Sequence, residues 1–260
     1  VKAKFTVLKK KMEGLKNKIR DHPHHQLILG IFTVLCLFMV MIPLYNVYSA
    51  EEPSPTPIVT SVVLGNESYG TVAKIGPYGN VSSPVKVAYI LGEHPREHVA
   101  HKALGENIKE NSQSLKYCYY LYYINVTKYA SDFSKGRMNG QVLSNKYVVP
   151  DIAQESFSLA IDVHGTDGEY SKRVFLFTPL PKGTSLDIAH NLTNLVEGVP
   201  YYSAPNPSST AYTTIPLIKK GVPAIVYESF TAQPYNLVKE QNRKFILGVD
   251  ELNLEANPCY

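Results

Sequence analysis

Cysteine is scarce in this chain, with three residues among 260. Cys36 falls inside an apolar run, which leaves Cys118 and Cys259. No disulfide framework can therefore hold the fold, and a buried core must do so. A single Cys118–Cys259 bridge is permitted outside the cell, although Cys118 stands in a run of buried-strand type. Internal repeats are absent too. Beyond residue 26 there is no excess of positive charge. Residues 1–26 hold eight Lys/Arg against Glu13 and Asp21, a balance of +6, while the other 234 hold 18 against 20, a balance of −2. The net +4 is thus an N-terminal property, and nothing in the rest points to nucleic acid as a partner.

Charge of either sign is missing from Leu27 to Leu44, eighteen residues in which only Gly30, Thr33 and Pro43 interrupt the apolar character. As a helix this run is about 27 Å long, enough to cross a hydrocarbon core. The basic block before it predicts a cytoplasmic N-terminus and an exported remainder. A cleavable signal peptide is the alternative, but the run is long for one. Tyr48, in Val47-Tyr48-Ser49-Ala50, is also bulky where cleavage needs a small residue. The expected organisation is a basic cytoplasmic segment at 1–26, a transmembrane anchor at 27–45, a Pro-rich extracellular linker at 46–57 and one domain at 58–260. That places the domain at the outer face of a cell membrane. Asn-x-Ser/Thr triplets at Asn66, Asn80, Asn125 and Asn191 agree with an exported domain, each of them a weak signal.

From Ile58 onward the hydrophobic periodicity alternates. Strands are expected at 58–64, 71–75, 85–91, 116–125, 157–163, 174–177 and 224–227, with helices at 97–110, 185–196 and 235–254. This predicts a single α/β domain whose sheet is mixed, mostly parallel and covered by helices on both faces.

Three strand ends carry polar residues. The run Val85–Leu91 is broken by Gly92 and leads through His94-Pro95-Arg96-Glu97 into a helix. Phe157-Ser-Leu-Ala-Ile-Asp-Val-His164 ends a second strand with a histidine, and Pro223-Ala-Ile-Val-Tyr-Glu228 ends a third with a glutamate. His94, Glu97 and His164 make a two-His-one-carboxylate zinc set, with Glu228 as the base that takes a proton from water. A second reading exists. His94 to His98 also spells His-x-x-Glu-His, in which His94 and His98 would bind metal from one helix face. Pro95 opposes it by biasing His94 away from the helical region.

Gly92-Glu-His-Pro-Arg-Glu, Ile161-Asp-Val-His and Val226-Tyr-Glu together resemble the three signatures of the zinc carboxypeptidases, the funnelin peptidases. That family includes the succinylglutamate desuccinylase/aspartoacylase branch. The resemblance covers roughly Thr60 to Phe230. It implies one zinc ion per chain and hydrolysis of an amide bond, and the expected place at the outer face of a membrane favours a peptide or cell-wall peptide as substrate. It also implies that Arg137 polarises the scissile carbonyl, that Asn145 and Lys146 meet a substrate carboxylate, and that Tyr202 or Tyr212 contacts substrate. Lys146 stands where the family has an arginine, so it offers a point charge in place of a fork. Leu143 occupies the place of an aspartate that supports a zinc-bound histidine. An N-acyl amino acid deacylase and a non-catalytic binding domain on a degenerate peptidase fold remain alternative functions.

Overall fold

The computed structural model describes residues 2–20, 24–48, 58–205 and 209–257. The chain divides into two compact units, Val1–Ser54 and Pro55–Tyr260. In the first, the basic stretch forms helix α1 (Lys2–Arg20) and the apolar stretch forms α2 (His25–Tyr48). Among the described residues no helix is long and apolar enough to cross a membrane. The side chains at 28, 29, 40 and 42–45 of the expected span lie outside those described.

The second unit opens with the hairpin β1 (Thr60–Glu67) and β2 (Gly70–Gly79), then β3 (Lys86–Leu91) and α3 (His98–Asn111). Next come β4 (Cys118–Val126), α4 (Phe133–Leu143), α5 (Val149–Gln154), β5 (Leu159–Thr166) and β6 (Phe175–Phe177). The unit closes with α6 (Thr184–Leu195), α7 (Thr214–Lys219), β7 (Ala224–Phe230) and α8 (Tyr235–Glu251). Seven strands form one sheet in the order β1-β2-β4-β3-β5-β7-β6. The four central strands β4, β3, β5 and β7 run parallel, and the outer pairings are antiparallel. The sheet is mixed as expected, but the parallel pairs number three of six, so it is not mostly parallel.

Alternation along the strands sends side chains to two cores. Tyr89, Ile161, Ile225 and Tyr227 meet Leu104 of α3, Leu192 of α6 and Phe245 of α8. Ala88, Ile90, Ala160 and Ala224 meet Leu143, Ile152 and Leu217 on the other face. Because β3, β5 and β7 are parallel neighbours, their C-terminal ends share one edge, where α/β folds present reactive side chains.

Helices α4, α5 and α7 have no counterpart in the sequence expectation. Gly136 and Gly140 obscure α4, and both have a packing reason. A Cβ on Gly140 would come 1.8 Å from the Glu93 carbonyl oxygen, and one on Gly136 would come 2.7 Å from that of Tyr129. The helix therefore lies against the loop after β3. Asp132 caps it by accepting the backbone N–H groups of Ser134 and Lys135. Cys118 is buried and carries a free thiol, and Cys259 lies outside the described residues.

Candidate metal centre

Gly92 leaves β3 with φ of +91°, a left-handed conformation suited to glycine. A Cβ there would stand 2.1 Å from the Ile124 carbonyl oxygen. His94 follows in extended conformation (φ −109°, ψ 103°), and Pro95–Glu97 form a short 3₁₀ turn. This is the bias imposed by Pro95. It sets aside the reading with both histidines on one helix, and His98 is exposed besides. His164 lies near the C-terminal end of β5 and pairs in register with Glu228 of β7.

The three expected ligands converge. His94 Nδ1 is 2.8 Å from Glu97 Oε1, His164 Nδ1 is 3.0 Å from Glu97 Oε2, and the two Nδ1 atoms are 3.0 Å apart. His94 and His164 are buried. Two imidazole nitrogens cannot face each other that closely as lone pairs unless a proton or a cation lies between them. Tetrahedral zinc with bonds near 2.0–2.1 Å spaces its ligand atoms by about 3.3 Å. A slight opening of this triad accommodates the ion, so the donor set fits zinc.

Burial works against the charge on Glu97. Even so, His94 and the hydrogen bonds from both imidazoles hold its carboxyl well below the usual range. Burial pushes His94 down, and neighbouring His164 adds to that. His164 is likewise opposed by burial but is raised well above its ordinary value by Asp162 and Glu97. Burial pushes Glu228 up to about 8, against the pull of His164. A cation at the triad would favour the ionised form that a general base needs.

Arg137, on α4, donates to Glu97 Oε1 at 2.6 Å and lies with its guanidinium 4.4 Å from the Phe133 ring centroid. It lines the cleft in front of the triad with Arg96, Asp132, Phe133, Asp167 and Glu169. One turn along the same helix, Gln141 places its side-chain amide 3.3 Å from His94 Nε2. The atom facing the ring is the amide nitrogen Nε2. When Nδ1 is the ligand atom, Nε2 of His94 carries the proton, and a flip of the Gln141 amide turns its oxygen to accept it. Gln141 thus supplies the support that the motif pattern put at the position of Leu143, whose side chain is buried in the core. A helix hidden by two glycines concealed this pairing from sequence reading.

The three residues expected to contact substrate have partners within the protein. Lys146 Nζ is held by Glu67 Oε1 at 2.5 Å, and Asn145 donates to the Tyr212 carbonyl oxygen at 2.8 Å. Tyr202 packs edge-on against Phe175 with ring centroids 5.0 Å apart. None of the three lines the cleft. Tyr170, which no sequence motif marked, has its phenol raised by burial first and then by the charge of Glu228.

No protein-family model and no curated protein matches the sequence. Solved structures do match in fold. A metallo-carboxypeptidase from Burkholderia cenocepacia superposes with a TM-score of 0.50 at 12% identity, over 77% of this chain and 65% of that one. The cell shape determinant Csd4 protein from Helicobacter pylori, solved with a tripeptide bound, gives 0.51 at 10% identity, over 72% and 56%. A succinylglutamate desuccinylase/aspartoacylase from Rhodobacter sphaeroides gives 0.47 at 12% identity, over 80% and 69%. The chain thus spans less than two thirds of the length of the first two. The likeness is one of fold, and that fold is the one the motif resemblance implies.

Proposed function

We propose that this chain is a zinc-dependent hydrolase of peptide amide bonds, held at the outer face of a membrane by its N-terminal helix. The observation that carries the catalytic part is the convergence of His94 Nδ1, His164 Nδ1 and the Glu97 carboxylate within 2.8–3.0 Å of one another. Zinc bound there supplies Lewis acidity, polarising the scissile carbonyl and easing the loss of a proton from water. Glu228 takes the proton from the attacking water and passes it to the leaving amine nitrogen. Arg137 donates to the carbonyl oxygen as negative charge develops on it, a contact of a kind worth about 3 kcal/mol. The burial of Glu228 and both histidines limits competing water.

The anchor rests on the sequence, on the charge-free run 27–44 and the basic block before it. Leu27, Phe32, Leu37, Phe38 and Met39 on α2 are each more than half exposed, as suits side chains that meet lipid. A domain so tethered meets surface peptides and cell-wall peptides.

Zinc content of the purified chain, with a parallel screen of peptides, cell-wall peptides and acyl amino acids, tests the catalytic reading. One zinc per chain and release of an amine from peptides are expected. Cleavage of acyl amino acids alone would assign a deacylase, and tight peptide binding without zinc or turnover would assign a binding domain. Protease added to intact cells should remove the domain. Its protection would overturn the topology.

A further inference from the structure

Asp162 and Glu93 are fully buried behind the metal centre and belong to no step described above. Asp162 sits two residues before His164 on β5, so both side chains leave the same face of the sheet. Its Oδ1 lies 3.2 Å from His164 Nε2, within ion-pair reach but off hydrogen-bond alignment. Both Asp162 oxygens, His164 Nε2 and Glu93 Oε1 are buried without a hydrogen-bond partner. The other Glu93 oxygen accepts from Thr213 Oγ1 at 2.7 Å, and that hydroxyl also lies 2.7 Å from Ser144 Oγ. A carboxylate at the centre of a sheet is costly to bury unless a donor meets it. The donor in reach is the ring nitrogen of His164 that faces away from Glu97.

We propose that Asp162 is a positioning residue of the metal centre: its carboxylate accepts the Nε2 proton of His164 and fixes the tautomer whose Nδ1 lone pair points at the ion. The inference rests on the zinc reading above. The two nitrogens stand 1,3 on the ring, so one small rotation that aims Nδ1 at the ion also aims Nε2–H at Asp162. The two ligating histidines are then supported unequally. His94 has the neutral amide of Gln141, whereas His164 has a carboxylate, which makes its ring the more basic ligand. Glu93, whose other oxygen is held by Thr213, is buried beside Asp162 and His164.

The test uses the full chain in three measurements. Zinc affinity by chelator competition should fall roughly 10–100-fold in Asp162→Asn, the usual effect of losing such a partner. The visible ligand-field bands of the cobalt-loaded protein should shift in the same variant, which a purely structural role would not produce. In the zinc-loaded wild-type chain, nitrogen-15 histidine resonances should show His164 protonated at Nε2, a measurement that stands even if the variant does not fold. A folded Asp162→Asn with unchanged affinity and cobalt spectrum overturns the inference. So does an unprotonated Nε2. Two ions per wild-type chain, with one lost in Asp162→Asn, also overturns it, because Glu93, Asp162 and His164 would then hold a second cation. A wild-type chain that takes up no zinc fails the underlying reading instead, so the two failures are distinguishable.

Discussion

Arg137 Nη2 and Glu97 Oε1 are 2.6 Å apart across forty residues of sequence. The same carboxylate faces both imidazoles, so a metal ion and the guanidinium draw on one group. An ion bound by Glu97 weakens its hold on Arg137 and frees the guanidinium for the cleft. Arg137→Ala should therefore keep zinc and lose about 10²–10³ in kcat, the usual range for one oxyanion donor. Glu97→Gln should lose the ion itself. Metal analysis beside steady-state kinetics separates the two, and loss of zinc from Arg137→Ala would make the arginine a structural partner of Glu97.

Glu228 ends β7 in register with His164. Glu228→Gln keeps size but cannot accept a proton, so kcat should fall by roughly 10²–10⁴ with zinc and fold retained. KM should change little, since the lost interaction belongs to the transition state. Near-normal turnover by the zinc-loaded variant would move the base elsewhere.

Gln141 is expected to matter for the metal through His94. Gln141→Leu should weaken zinc binding by about tenfold while leaving the cleft and KM intact. Chelator competition measures this, and unchanged affinity would leave His94 without the partner assigned to it.

Lys146 is half exposed and paired with Glu67. An exposed pair of this kind contributes about 0–1 kcal/mol. Lys146→Ala should alter stability no more than that and change KM for a free-carboxylate peptide by less than roughly threefold. A tenfold rise in KM that vanishes with amidated peptide would instead place Lys146 in substrate binding, as the motif resemblance implies.

His101 is buried, with Nε2 3.0 Å from the Val163 carbonyl oxygen. Burial above all lowers its pKa from 6.5 to about 4. The folded chain holds this ring neutral while the unfolded chain protonates it near 6.5. Its contribution is therefore present above pH 6.5 and lost as pH falls toward 4, about 3 kcal/mol in all. Urea unfolding at several pH values should show a shallower acid loss in His101→Gln than in wild type. Parallel curves would remove His101 from the acid response.

Local chemistry fixed much of the centre before any fold was known. Gly92 breaks a strand because its left-handed φ of +91° suits glycine, and Pro95 holds His94 extended; both effects act within a few residues. Period-two runs ending in His164 and Glu228 marked two strand ends, and parallel neighbours align such ends on one edge. Tertiary structure decided what depends on approach between distant segments. No helix was expected where α4 lies, yet its glycines let that helix touch the Glu93 backbone and so deliver Arg137 and Gln141 to the site. The motif resemblance gave Lys146 a substrate carboxylate as partner, and only the fold sets Glu67, from the far hairpin, against it. Asp162 had no role in the sequence beyond its place in the Ile161-Asp-Val-His motif, and only its burial behind His164 gives it one. Sequence specifies backbone geometry and side-chain alternation over a few residues, whereas the partner of a buried charge depends on which segments the packed core brings together.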